Sequence, residues 1–330
     1  MKLRTPLGWA AERWTLGSRA LRWGTTAALV ASILIVLGGV VVRVTGSGLG
    51  CPTWPTCTDD SLIATPELGI HGFIEFANRT VTGVLIVAVG WAIVAARLQR
   101  PRDRMLTRLA WSMFWLVVAN ALAGGVTVWV DLNPWVVAMH FVLAMGLLAC
   151  ATFTWHRARW TGGSGPRPSG ASRALAWALV VATGGVVATG TLVTGSGPHA
   201  GDSAEVPRMG FDWTAVVTVH GVAAVSVLLI ATVLAFRLRR EAGGHLALRR
   251  VGVLLLVLVI QLTVGTTQSL IGIPEVLVAI HGVLAALVWV GALRVVLDTD
   301  PRLWAVRDHQ LITGALVPSL PQADPVDSLR

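Results

Sequence analysis

Residues 38–57, GGVVVRVTGSGLGCPTWPTC, decide how the rest of the chain is read. The stretch ends an apolar run, turns through glycines and closes on two cysteines. Its core, VTGSG at 44–48, returns at 193–197. A helix-end motif that occurs twice points to a duplicated unit. Its position also sets the side of a membrane from which the following helices start, and so the level of the histidines.

Outward from this stretch, the chain is 54% hydrophobic and 13% charged over 330 residues. That is too apolar for a soluble domain and too long for a single anchor. The net charge of +9 would suggest nucleic acid in a soluble protein. Here the basic residues lie between apolar runs, so the positive-inside rule explains them and no nucleic-acid partner is expected. Apolar runs cover 25–42, 72–96, 106–130, 135–155, 174–193, 213–236, 251–271 and 275–297. Each is long enough to cross ~30 Å of hydrocarbon at about 1.5 Å per residue. The first begins near Thr25 and reads as a retained helix, not a cleaved signal.

Loop charge alternates. Arg97, Arg100, Arg102, Arg104 and Arg108 fill one loop, Arg157, Arg159, Arg167 and Arg173 another, and Arg237, Arg239, Arg240, Arg249 and Arg250 a third. The opposite loops hold only Arg43 and Arg208, beside Asp59, Asp60, Glu67, Asp131, Asp202 and Glu205. The expected protein is multi-pass in the plasma membrane, with lipid around it and both termini cytoplasmic. The expected divisions are a cytoplasmic segment 1–24, a first half 25–160, a flexible linker 161–173, a second half 174–297 and a cytoplasmic tail 298–330, disordered after Pro318.

The halves read as repeats. LAGGVT at 122–127 and VAMH at 137–140 match LTVGTT at 262–267 and VAIH at 278–281, an offset of 141. Four crossings return the chain to its starting side, so the repeats are parallel. The expected fold is all-α: eight transmembrane helices as two four-helix bundles, with pseudo-two-fold symmetry about the membrane normal.

Three histidines, His140, His220 and His281, lie six or seven residues into even-numbered runs. That puts them roughly 9–11 Å from the same ends of their helices. Taken singly, each reads most simply as a hydrogen-bonded core residue. A shared level in corresponding helices argues for ligation, and a polar group in hydrocarbon faces the bundle interior. His220 and His281 read as a bis-histidine haem clamp. Asn78 stands in the first half where His220 stands in the second, so that half offers His140 and one position without an iron ligand. Such a position suits a substrate. His71, Glu75 and Asn78 share one stripe of the second run, and Glu75 is either catalytic, ion-paired with Arg79 at i+4, or both. His156, His245 and His309 read as solvated, and His199 stays ambiguous. Cys51 and Cys57 have a spacing that allows a disulfide; free thiols or a metal site are the alternatives, and the absence of a second ligand pair argues against zinc. Cys150 reads as packing. Asn120, Thr127, Gln261 and Gln268 are candidate donors near the histidines, or plain interhelical hydrogen bonds. The pairs Gly38-Gly39, Gly124-Gly125 and Gly184-Gly185 would permit close helix approach or make room for a large flat ligand.

Together these residues resemble the haem A synthase family, over essentially the whole chain through Leu297. The stretch at 38–57, EFANR at 75–79, GGVTV with His140, and His220 with His281 carry the resemblance. It implies an oxidoreductase converting haem O to haem A by oxidising the C8 methyl to a formyl group, through successive hydroxylations and loss of water. It also implies haem b on His220 and His281, haem O as substrate in the first half, a Cys51–Cys57 pair, and Glu75 as the essential acid. Implied partners are a haem O synthase, the terminal oxidase assembly machinery and an electron partner not specified by the sequence. The family motif reads Glu-x-x-His-Arg where this chain has Asn78. The expectation is therefore that His140 ligates the substrate haem alone, or that His71 supplies a ligand after rearrangement, with Asn78 and Arg79 nearby. Two rivals come from other classes: a bis-histidine b-type electron-transfer cytochrome without substrate chemistry, and a transporter built from parallel repeats that holds no haem.

Overall fold

The computed structural model describes residues 5–160, 166–199, 201–202, 205–300 and 303. Among them are nine α-helices: α1 Pro6–Arg13, α2 Ser18–Val44, α3 Gly69–Arg97, α4 Arg104–Trp129, α5 Pro134–Arg157, α6 Gly170–Ser196, α7 Trp213–Leu238, α8 His245–Leu270 and α9 Glu275–Thr299. A short 3-10 turn, Pro66–Leu68, leads into α3. Helices α2 to α9 are the eight that are long and apolar enough to cross a membrane. The chain is thus an all-helical, multi-pass membrane protein. Large apolar side chains such as Val87, Val181 and Leu256 point outward, where hydrocarbon would meet them.

Five of the nine helices, α1, α4, α5, α6 and α7, start at a side-chain cap. Asp103 accepts from Leu106 N (3.0 Å), Ser169 from Ser172 N (3.2 Å) and Asp212 from Ala215 N (2.7 Å). These caps satisfy amides that the first helical turn leaves free. The two VTGSG copies end their helices differently. In the first, Gly46 takes φ 62° and Ser47 N donates to Val42 O (2.9 Å). That is a Schellman stop, which glycine allows at little cost. In the second, α6 runs on through Ser196, and Met209 N donates to Gly195 O (2.9 Å).

The helix contacts of α2–α5 recur in α6–α9: first with second, second with third, third with fourth, and first with fourth. Each set has its own buried core, one around Leu85, Met113 and Leu148, the other around Leu179, Leu234 and Leu254. The α4–α5 and α8–α9 turns share a hydrogen bond, Leu132 N to Thr127 O (2.9 Å) and Ile273 N to Gln268 O (2.8 Å). Both turns are left-handed, at Asp131-Leu132 and Gly272-Ile273, which extends the 141-residue offset into turn geometry. The two sets meet through α2–α9, α5–α9 and α5–α6.

Three expectations shift. The segment 1–24 contains α1 and the first turns of α2, because Thr5 caps Gly8 N (3.2 Å) and the apolar pattern begins at Leu21. The expected linker ends inside α6, with Ser169 and Ser172 both bonded to Glu241 at 2.7–2.9 Å. His156 is not solvated: it is 7% exposed, 3.7 Å from Asp298 Oδ1, because α5 carries it back against α9. His245 is exposed. The start of the linker lies outside the described residues; of the expected tail, 298 and 299 end α9, 300 and 303 are described, and the rest, with His309, lies outside.

Candidate functional site

The bundle is four hairpins, α2–α3, α4–α5, α6–α7 and α8–α9. Each sets a polar side chain of its second helix against a glycine of its first. A β-carbon on Gly124 would lie 3.4 Å from His140 Cε1, on Gly190 3.2 Å from His220 Cε1, and on Gly265 2.9 Å from His281 Cε1. One on Gly38 would collide with Asn78 Oδ1. Asn78 therefore occupies the fourth of four equivalent positions.

Further contacts fix the rings of the second half. His220 Nδ1 lies 3.1 Å from Thr189 Oγ1. Gln261 Nε2 lies 3.2 Å from His281 Nε2 and donates to His281 O (3.1 Å). His220 and His281 stand opposite one another, their rings edge-on at 63° with centroids 6.3 Å apart. Two metal–imidazole bonds of about 2 Å each would separate ring centroids by roughly 6 Å. His140 Nδ1, His281 Nδ1 and Asn78 Oδ1 are buried without a hydrogen-bond partner, a costly state that calls for a further group. Among the described residues no set of three or more His, Cys, Asp or Glu side chains could hold a bare metal ion. Two facing imidazoles suit an ion that arrives with its own equatorial donors, as haem iron does. In the first half the donor set is one imidazole and an amide.

The first half adds a cluster that the second lacks. Glu75 is 8% exposed, and its Oε1 accepts from Arg79 Nε (3.0 Å). Arg79 also donates to the carbonyls of Thr53 (3.1 Å), Thr56 (2.9 Å) and Cys51 (3.3 Å). Cys51 and Cys57 are joined by a disulfide, and both are fully buried. One guanidinium thus ties the disulfide loop to the carboxylate. Trp54 of that loop packs on Gly125, edge-on to Trp129 at 5.5 Å, and covers α4 beside His140's glycine. Ion pairing of Glu75 and the disulfide both match one of the sequence readings.

His71 lies apart from this group, its Nδ1 3.0 Å from Ser47 Oγ in the first VTGSG turn. His199 Nε2 binds Ile273 O (3.0 Å), and Cys150 is a buried free thiol. Of the four candidate donors, Gln261 alone bonds a histidine through its side chain. Asn120 Nδ2 turns back to Leu116 O (2.8 Å), Thr127 Oγ1 turns to Gly124 O (2.6 Å), and Gln268 Oε1 has no partner. The glycine beside His220 is Gly190. Gly184 faces Trp289, and nothing lies near Gly185. In α4–α5 and α8–α9 the glycine precedes the histidine by the same short interval, a signal present in the sequence. In α2–α3 and α6–α7 loops of unequal length hide it.

Comparison with known proteins gives a consistent result. The COX15-CtaA family profile, described as cytochrome oxidase assembly protein, matches residues 21–293. A heme A synthase of Lysinibacillus sphaericus is 35% identical over 132 residues, 39% of this chain and 41% of that protein. The heme A synthase of Geobacillus kaustophilus is 31% identical over 136 residues, 38% of this chain and 40% of that protein. That of Staphylococcus haemolyticus is 30% identical over 128 residues, 38% and 41% of the two chains. The chain thus spans about two fifths of the length of the curated relatives it matches.

Proposed function

The chain belongs to the COX15-CtaA family of cytochrome oxidase assembly proteins, and from that membership we propose that it is a haem A synthase, oxidising the C8 methyl of haem O to a formyl group. In this reading residues 174–297 hold haem b between His220 and His281. Residues 25–160 would take haem O, held by His140, with Asn78 at the equivalent position of α3. The arginine-rich loops face the cytoplasm across the plasma membrane. A haem O synthase supplies the substrate, and terminal oxidase assembly receives the product.

The observation that carries the proposal is the difference between two otherwise repeated halves. One presents a closed pair of facing imidazoles. The other replaces one imidazole with Asn78 and adds Glu75, Arg79 and the disulfide loop. A plain electron-transfer cytochrome has no use for that difference, though the facing histidines alone would suit one.

Bound haem supplies the multi-electron chemistry that no side chain here performs. The residues orient and protonate. Arg79 engages Oε1 of Glu75, leaving Oε2 to take a proton released as the methyl is oxidised. Trp54 and the disulfide loop keep water from the site.

The test is haem extraction with mass detection. The chain is co-expressed with a haem O synthase in a host that makes no haem A but supplies a competent redox partner. Haem A, or its hydroxylated precursor, is expected with the intact chain. With Glu75→Gln, product should fall at least tenfold while haem b stays bound. Haem b with untouched haem O in the intact sample would favour the electron-transfer cytochrome.

A further inference from the structure

At the arginine-rich end, α1 lies across the end of α3. Arg100 Nη2 donates to the carbonyls of Ala11 and Glu12 (both 2.9 Å), and Leu16 N donates to Leu98 O (3.1 Å). Between α1, the α3–α4 loop and α4 lies a cleft of about 910 Å³. Arg97, Arg102, Arg104 and Arg108 line it, together with Trp111 and Trp115. Arg104, Arg108, Trp111 and Trp115 have helical spacing, so they form one stripe running from the end of α4 toward its middle.

Among the described residues nothing neutralises the four arginines. None of their guanidinium groups makes a hydrogen bond or ion pair with a described residue. The acid between them, Asp103, is committed elsewhere: Oδ1 caps Leu106 N (3.0 Å) and Oδ2 takes Arg157 Nε (2.7 Å). Slight burial, then the charges of Arg97 and Arg104, hold Arg102 below the usual arginine range. In the other arginine-rich loops some arginines are engaged. Arg250 pairs with Asp298, and Arg159 binds the Arg22 carbonyl and the Thr25 and Thr26 hydroxyls.

We infer that this cleft binds an anionic phospholipid, its phosphate against the four arginines and an acyl chain along Trp111 and Trp115. Charge complementarity selects the headgroup. The stripe selects a lipid over a soluble anion, because Trp111 and Trp115 are 38% and 63% exposed on a membrane-crossing helix. Basic pockets between transmembrane helices recognise anionic headgroups in this way.

The test uses the full chain in detergent supplied with phosphatidylglycerol or phosphatidylcholine, with retained lipid counted by native mass spectrometry. Phosphatidylglycerol should be retained over phosphatidylcholine. Arg102→Gln/Arg104→Gln/Arg108→Gln should lower its retention roughly tenfold or more. Trp111→Ala/Trp115→Ala should also lower it, and millimolar inorganic phosphate should not displace it. Arg237→Gln/Arg239→Gln/Arg240→Gln, on another loop, should leave it unchanged. Equal loss in that control, equal retention of both lipids, or displacement by phosphate with no effect of the tryptophans would overturn the proposal. If the triple variant does not fold, Arg102→Gln and Arg108→Gln are read singly. Each should lower retention about threefold, and unchanged retention in both would overturn it.

Discussion

At the scale of single residues, the site depends on what four glycines leave out. A β-carbon would come closest to its imidazole at Gly265, less close at Gly190 and least close at Gly124. Overpacking costs about 1–3 kcal/mol, and each ~1.4 kcal/mol is tenfold in affinity. Gly265→Ala should therefore lower haem retained on purification roughly tenfold, Gly190→Ala less, and Gly124→Ala least. The ratio of Soret to protein absorbance reads this order; a reversed order would remove the glycines from ligand placement. Arg79 is the second such residue. Arg79→Gln strands a buried carboxylate and frees three loop carbonyls, a change worth about 3–5 kcal/mol when a buried pair is broken. Thermal melting in detergent should drop sharply, and adding Glu75→Gln should restore part of the loss. Sequence alone exposed His140, His220, His281 and Asn78 as equivalents, because depth and offset survive without coordinates. It could not expose Arg79's carbonyl contacts, since those depend on how the disulfide loop folds back over α3.

At the scale of elements, hydrophobic run length and loop charge located all eight spans, because both are imposed by the bilayer and not by detailed packing. Their ends were less legible, since α2, α6 and α8 extend past the apolar runs into arginine-bearing turns. The short α1 was hidden because its eight residues are too few for a crossing; Arg100 holds it by two backbone carbonyls and Leu7 packs against the first-half core. The electrostatic contact of α5 and α8 with α9 was hidden too. Asp298, 4% exposed in its side chain, lies 3.1 Å from Arg250 Nε, 3.7 Å from His156 Nδ1 and 4.0 Å from Arg294 Nη2. In sequence these four residues are scattered over three helices, each resembling an ordinary loop-end charge. Asp298→Asn leaves two guanidinium groups facing one another. Because the Arg250 side chain is 38% exposed, the loss should fall at or below the ~3–5 kcal/mol of a fully buried pair. An unchanged melting midpoint would mean that solvent already screens the cluster.

At the scale of the molecule, the two four-helix sets are joined at both ends and between. At the disulfide end, Arg43 donates to His199 O (3.0 Å) and Thr194 O (2.7 Å), Gly48 N to Gly201 O (2.7 Å), and Leu49 N to Asp202 Oδ2 (3.0 Å). Arg208 adds bonds to the carbonyls of Gly197 and Pro198, closing the second VTGSG copy. In the middle, Trp289 Nε1 donates to Met145 O (3.0 Å) beside an apolar cavity of about 250 Å³. At the arginine-rich end stands Asp298. Helices of 25–27 residues separate the Arg43 and Asp298 clusters, so they lie roughly 35–40 Å apart at 1.5 Å per residue. Perturbations that far apart with no shared partner add to within about 0.5 kcal/mol. Arg43→Gln removes two charge-assisted bonds, each worth about 1.5–3 kcal/mol, and so should destabilise on its own. Arg43→Gln/Asp298→Asn should then lose the sum of the single losses, measured by chemical unfolding of the same detergent preparation. A coupling above ~1 kcal/mol would require that the halves shift as rigid bodies, so that loosening one end already loosens the other. Additivity would instead place the junction's strength in separate local contacts, with each half keeping its histidine level when one end is cut.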